Sequence, residues 1–86
     1  MNKIKTDLQE IPGIGPAIEK SFLTIGINSI SDLRGKDPDK LYNQLEKKLN
    51  SHVDRCLLYA YRCAVYYASH KKHDPEKLRW WWWKDS

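Results

Sequence analysis

The residues best suited to chemistry lie in Ile11-Pro12-Gly13-Ile14-Gly15-Pro16. Two glycines let the backbone turn sharply and come close to a ligand, while Ile14 between them can tuck its side chain into a core and pin the loop. Pro16 suits the first position of a helix. The amides of Gly13, Gly15 and the first helical turn then point outward at a helix N-terminus, which favours a phosphate. Lys20, one turn later, adds a positive charge. Gly13, Ile14, Gly15 and Lys20 are therefore the candidate phosphate-binding residues; the competing reading is a compact turn between two helices.

Other constellations carry less. His52 and Cys56 are spaced i, i+4 with Cys63 a heptad beyond, but no CxxC or HxxxH pair supplies closely spaced metal ligands, and cysteine on a helical stripe packs as a small hydrophobe. No metal site, cofactor or catalytic set is expected, and the protein reads as a non-enzyme. Cys56 and Cys63 stand about 10 Å apart along one helix, beyond disulfide reach, so buried, reduced thiols are expected. Arg55 and Arg62 share one side of that helix, either as a phosphate-facing rail or, the favoured reading, paired with Asp54 or Glu46 and stacked on aromatics. Arg79-Trp80-Trp81-Trp82-Trp83-Lys84 raises a separate question, since four adjacent indoles must be core, membrane-surface element, stacking platform or partner-binding edge.

Positioning these groups falls to short helices, because no strand alternation of useful length is present. A first helix is expected over about residues 3–10, broken by two Pro and two Gly. Pro16–Thr24 follows, with Ile18, Phe22 and Ile25 on one face and Gly26 as terminator. Ser29 with Asp32 caps a short helix from Ile30 to Arg34 that Gly35 ends. Asp37 caps and Pro38 opens an amphipathic helix that buries Leu41, Leu45 and Leu49, with Tyr42 beside the stripe. Ser51 and Asp54 form a capping box for the longest helix, ending near His70. Its main stripe is Val53, Cys56, Leu57, Ala60, Cys63, Ala64 and Tyr67, but apolar residues surround it nearly completely, so it packs on more than one side. Asp74-Pro75-Glu76 opens a last turn carrying Leu78 and the tryptophans. There, Leu78, Trp81 and Trp82 share a side, which predicts two or three docked rings, Trp81 among them, and at least one ring partly exposed.

The whole is expected to be one all-α domain, residues 1–86, a compact bundle of five to six short helices with residues 75–86 folded back over it. Size permits a small core only. With 30% charged residues and a mean hydropathy of -0.74, and no apolar run near the roughly 18 residues of a membrane span, a soluble protein without secretory signal, hence cytoplasmic, is expected. Net charge is +4, with six basic and six acidic residues in positions 1–43 against nine and five in 44–86. That balance permits nucleic-acid binding without demonstrating it.

The hairpin with its flanks Leu8, Ile11, Ile18, Phe22 and Ile25 resembles the helix-hairpin-helix motif, in which such amides grip a phosphate backbone. Glu19 stands where that family usually has a small residue. Together with Asp54-Arg55-Cys56, Arg62-Cys63-Ala64-Val65-Tyr66 and Trp80-Trp81-Trp82-Trp83-Lys84-Asp85, nearly the whole chain resembles the small bacterial pathogenicity locus family, often labelled mitomycin-resistance proteins. The resemblance implies the helix-hairpin-helix fold and is nearly silent on activity.

Two functions fit. One is a sequence-independent DNA-binding accessory protein that grips double-stranded DNA through the hairpin. The other is a protein-interaction module, homodimeric or with another partner, lacking nucleic-acid contact. Neither involves a membrane.

Overall fold

Glycine, proline and capping side chains decide where the helices start and stop. The computed structural model describes residues 7–83, apart from the side chain of Trp80. Four α-helices are present among the described residues: α1 (Pro16–Thr24), α2 (Ile30–Leu33), α3 (Pro38–Leu49) and α4 (Arg55–Ser69). Three 3-10 turns accompany them, at Leu8–Glu10, Pro75–Leu78 and Trp80–Trp83, and no strand occurs among the described residues. Among the described residues the fold is all-α, with four helices rather than the five to six expected. The difference lies at the two ends, where the helix expected over about residues 3–10 is a three-residue turn as far as it is described and the tail winds as two 3-10 turns. Residues 1–6 and 84–86 lie outside the described residues.

The internal helices begin on their caps. Ser29 Oγ accepts the Asp32 amide while Asp32 Oδ2 accepts the Asn28 amide, closing both ends of the first turn of α2. Asp37 and Asp54 each accept an amide two residues on, at 2.9 Å. The cap of α4 is thus Asp54, not Ser51: Asn50 ends α3 with φ 52°, and a short extended linker follows, whose Val53 amide donates to Glu46 Oε2. Past α1, Gly26 takes φ 86°, the left-handed conformation a helix stop requires.

Phe22 of α1 and Tyr61 of α4 form the centre of the core. Both are fully buried, and their rings stack 4.2 Å apart at 16°. The Tyr61 hydroxyl donates to Ser21 Oγ at 2.8 Å, so the one polar atom of the pair is satisfied. Leu8, Ile11, Leu33 and Leu45 close around them. On α3, Leu41, Tyr42 and Leu45 are buried, and Tyr42 donates its hydroxyl to the Val53 carbonyl. Leu49, expected inside, is exposed, because it is the last helical residue and the chain turns away at Asn50.

The buried face of α4 is Leu58, Ala60, Tyr61, Cys63, Ala64 and Ala68. It is rotated from the expected stripe: Leu57 and Tyr67 are only half-buried and Cys56 is exposed in the first turn. Arg34 Nε donates to the Ala68 carbonyl and the Gly35 amide to Ser69 Oγ, tying the end of α2 to the last turn of α4. No helix of the described residues is long and apolar enough to cross a membrane.

Burial pushes the Cys63 thiol from 9.0 to about 11 and the Tyr61 hydroxyl from 10.0 to about 12. Both groups stay protonated in the fold at pH values where the unfolded chain ionises. Their stabilisation is therefore complete below about pH 9 and is lost as pH rises, through 9–11 for Cys63 and 10–12 for Tyr61. Each is worth on the order of 2 kcal/mol across its window. Denaturant midpoints measured from pH 8 to 11 should fall for the wild type and fall less steeply for Cys63→Ala; equal slopes would show that the thiol carries no such linkage.

Candidate nucleic-acid interface

The hairpin begins with three buried anchors, Leu8, Ile11 and Ile14. Between the last two, Pro12 and Gly13 occupy the corner of a tight turn closed by the Ile14 amide on the Ile11 carbonyl at 3.1 Å. Gly13 has φ 85°, and proline followed by a positive-φ residue is the arrangement of a type II turn. A side chain at position 13 would be strained there. Gly15, the N-cap of α1, is different: its φ of -96° is open to any residue, and a Cβ built on it meets nothing within 4 Å.

The candidate residues consequently divide. Ile14 is a positioning residue, since its side chain is buried and its amide is spent in the turn. The amides of Gly13, Gly15 and Ala17 find no hydrogen-bond acceptor among the described residues. Proline at position 16 has no amide to offer, and the Glu19 amide already donates to the Gly15 carbonyl. Lys20 is exposed one turn along α1. Ala17 lies in the first helical turn, whose amides the sequence already placed among the donors without naming the residue, since that turn leaves orphan donors.

The electrostatic surroundings are mixed. The carboxylate of Glu19 accepts the Gln9 side-chain amide at 3.0 Å, which holds it toward the preceding 3-10 turn. A groove of about 260 Å³ runs beside Gly13 between Ile18 and the first turn of α4, lined by Asp54, Cys56, Leu57 and Ala60. Asp54 keeps its carboxyl below the ordinary carboxylate range, chiefly because the Cys56 amide donates to it, and it in turn raises the Cys56 thiol. Cys56 is thus an exposed but poorly ionised thiol beside the hairpin. No group of three or more metal-capable side chains exists among the described residues.

Arg62 is not part of a phosphate rail. Its Nε and Nη2 reach Asp39 at 3.3 Å and its Nη1 donates to the Trp83 carbonyl at 2.8 Å, so the guanidinium is used internally. His52 pairs with Glu46 at 3.1 Å. Cys63, at the centre of α4, donates its thiol to the Leu78 carbonyl at 3.3 Å.

These bonds fasten the tryptophan segment. Trp83 is half-buried, donates its Nε1 to the Lys77 carbonyl and lies 5.5 Å from the Tyr66 ring. Trp81 and Trp82 are 48% and 51% exposed. Trp81, expected to dock, instead faces outward with the Arg79 guanidinium over its ring at 5.6 Å. A 3-10 turn advances 120° per residue, so consecutive rings diverge and only part of the run can reach α4.

The comparisons with known proteins agree with the sequence pattern. A family model described as Pathogenicity locus matches residues 1–86, and the chain belongs to that family. Sixty residues are 33% identical to a protein of Streptomyces lavendulae named Mitomycin resistance protein McrB, an alignment spanning 70% of this chain and 57% of that protein. The chain therefore spans little more than half the length of this relative. No solved structure matches the chain.

Trp83→Ala should lower the unfolding free energy by about 2 kcal/mol, as expected for truncating a half-buried ring. Trp81→Ala should cost under about 1 kcal/mol, the value of an exposed cation-π contact. Urea titrations of the two variants check the order, and a larger loss for Trp81 would reverse the assignment of the docked ring.

Proposed function

We propose that this member of the pathogenicity locus family is a non-enzymatic accessory protein that binds double-stranded DNA without reading its sequence, using a helix-hairpin-helix. The observation that carries the reading is the set of amides at Gly13, Gly15 and Ala17 without an acceptor among the described residues, on exposed Gly13 and Ala17 and half-buried Gly15, held at the N-terminus of a nine-residue helix by buried Ile11 and Ile14. Amides so placed are donors for a phosphate oxygen, and the helix dipole adds to the attraction. Lys20 supplies charge from the next turn, and the contact of Gln9 with Glu19 reduces the repulsion that carboxylate would exert. One hairpin in a neutral half of the chain gives weak, salt-sensitive binding, in the roughly 10⁻⁴ to 10⁻⁶ M range of non-specific complexes.

A second reading is a protein-interaction or homodimerisation module. It draws on the exposed indoles of Trp81 and Trp82 and the exposed Leu49. A concentration-dependent rise in sedimentation coefficient without DNA affinity would favour it.

Gly15→Asp separates function from folding. Its backbone angles and open surroundings accept a side chain, and aspartate at an N-cap is at least as good as glycine, by a few tenths of a kcal/mol. The carboxylate would take up the free amides and repel phosphate. Thermal stability should hold or rise while duplex-DNA affinity at low salt falls at least about tenfold, the loss of one charge-assisted contact. Equal affinity of wild type and variant, or no salt-dependent binding by the wild type, would overturn the reading.

A further inference from the structure

A second concavity lies on the other half of α4, at Tyr66 rather than Cys56, about 15 Å further along the helix axis. Its volume is about 560 Å³, within the roughly 300–1,000 Å³ of small-ligand sites. One wall is aromatic, made by Tyr66, Trp82 and Trp83; the facing wall is the N-terminus of α3, with Asp37, Pro38 and Asp39.

The groove carries two carboxylates, Asp37 and Asp39, and the His70 imidazole beside the hydroxyls of Tyr66 and Ser69. Asp37 accepts the Asp39 amide through one oxygen, and no cation pairs with its carboxylate among the described residues. His70 also lines the groove. Its Nδ1 lies 3.0 Å from the Tyr66 carbonyl, which can only accept, so that nitrogen carries the proton and the neutral ring offers Nε2 as an acceptor. The one guanidinium present, Arg62, is committed to Asp39 and the Trp83 carbonyl. The site therefore combines a half-exposed indole, a helix-capping carboxylate without a cation partner and an imidazole acceptor; Arg62 is paired with Asp39, and the Lys77 ammonium lies 5.8 Å from the centroid of the Tyr66 ring, which leaves Trp82 as the ring for a ligand to meet.

We propose that this groove binds a small organic cation, an ammonium or guanidinium group carried on an apolar or aromatic body. The body would stack on the Trp82 indole and the adjoining aromatic wall, and the N–H groups would donate to Asp37 and His70. Indole faces attract cations and flat rings, and the carboxylates select against anions, including the phosphates of a nucleic acid. The groove shares no residue with the hairpin, so its occupancy stands or falls separately from DNA binding.

The test uses phenethylammonium, the neutral 2-phenylethanol and anionic 3-phenylpropionate as probes, followed by indole N–H resonances in an NMR titration. Phenethylammonium should bind saturably in about the millimolar range expected of a small fragment, shifting the Trp82 resonance. The alcohol should bind at least about tenfold more weakly, and the anion more weakly still. Asp37→Asn keeps the helix cap and removes the charge, and Trp82→Ala removes an exposed ring; each should weaken the cation about tenfold with circular dichroism unchanged. Gly15→Asp should leave the cation's affinity unaltered. Equal affinity for amine and alcohol, absence of saturable binding, or insensitivity to both variants would overturn the proposal. So would a lysine-rich peptide that binds at least about tenfold tighter than the free amine, since the occupant would then be a protein segment.

Discussion

The stack of Phe22 on Tyr61 is the contact on which the rest depends. In a chain of 86 residues only one centre of packing can form, and these two rings supply it. Phe22 fixes α1 and therefore the hairpin that opens it; Tyr61 fixes the rotation of α4, which in turn decides which of its residues meet the C-terminal segment. Because the Tyr61 hydroxyl is matched by Ser21, the ring can sit at the centre without stranding a polar atom. Burial of this pair thus sets the geometry at both ends of α4.

From that axis the molecule presents two chemically opposite surfaces. At the N-terminal turn of α4 stands a set of backbone donors, open because proline and glycine leave the start of α1 without side-chain caps. Toward its C-terminal end stands a groove in which the carboxylates of Asp37 and Asp39 face aromatic rings. Arg62 is the hinge of this division: bound to Asp39 and the Trp83 carbonyl, it fastens the tryptophan turn to α3 and α4 and removes its own charge from play. Tryptophans that looked like a single feature in sequence consequently do different work. Trp83 anchors, while Trp81 and Trp82 face solvent on a segment that is held by its backbone and by Cys63.

Local signals were the readable part of the sequence. Pro16, Gly26, Ser29 with Asp32, Asp37-Pro38 and Gly35 are short-range chemistry, and the helices begin and end on them. The type II geometry at Pro12-Gly13 belongs to the same class. Features decided by distant partners were not readable. The face of α4 turns on Tyr61 meeting Ser21, forty positions away, and an almost uniformly apolar helix gives periodicity nothing to choose with. Cys56 and Leu49 were expected inside because helical spacing assigns a residue to a stripe without saying where its packing partner stops. Arg62 could be placed on a side of α4, but its acceptor at the Trp83 carbonyl is a backbone atom that no composition argument identifies. Of the candidate site, the open amides of Gly13, Gly15 and the first helical turn were legible; the consumption of the Ile14 amide emerged only once the turn was seen.

The proposal that the orphan amides of Gly13, Gly15 and Ala17 hold phosphate is tested most directly by an amide-resolved titration of the labelled protein with a short duplex DNA at low and high salt. The account predicts salt-sensitive shifts centred on the Gly13, Gly15 and Ala17 amides, with the indole resonances of the tryptophan turn unmoved. Shifts confined to the tryptophans, or none at any salt, would contradict it.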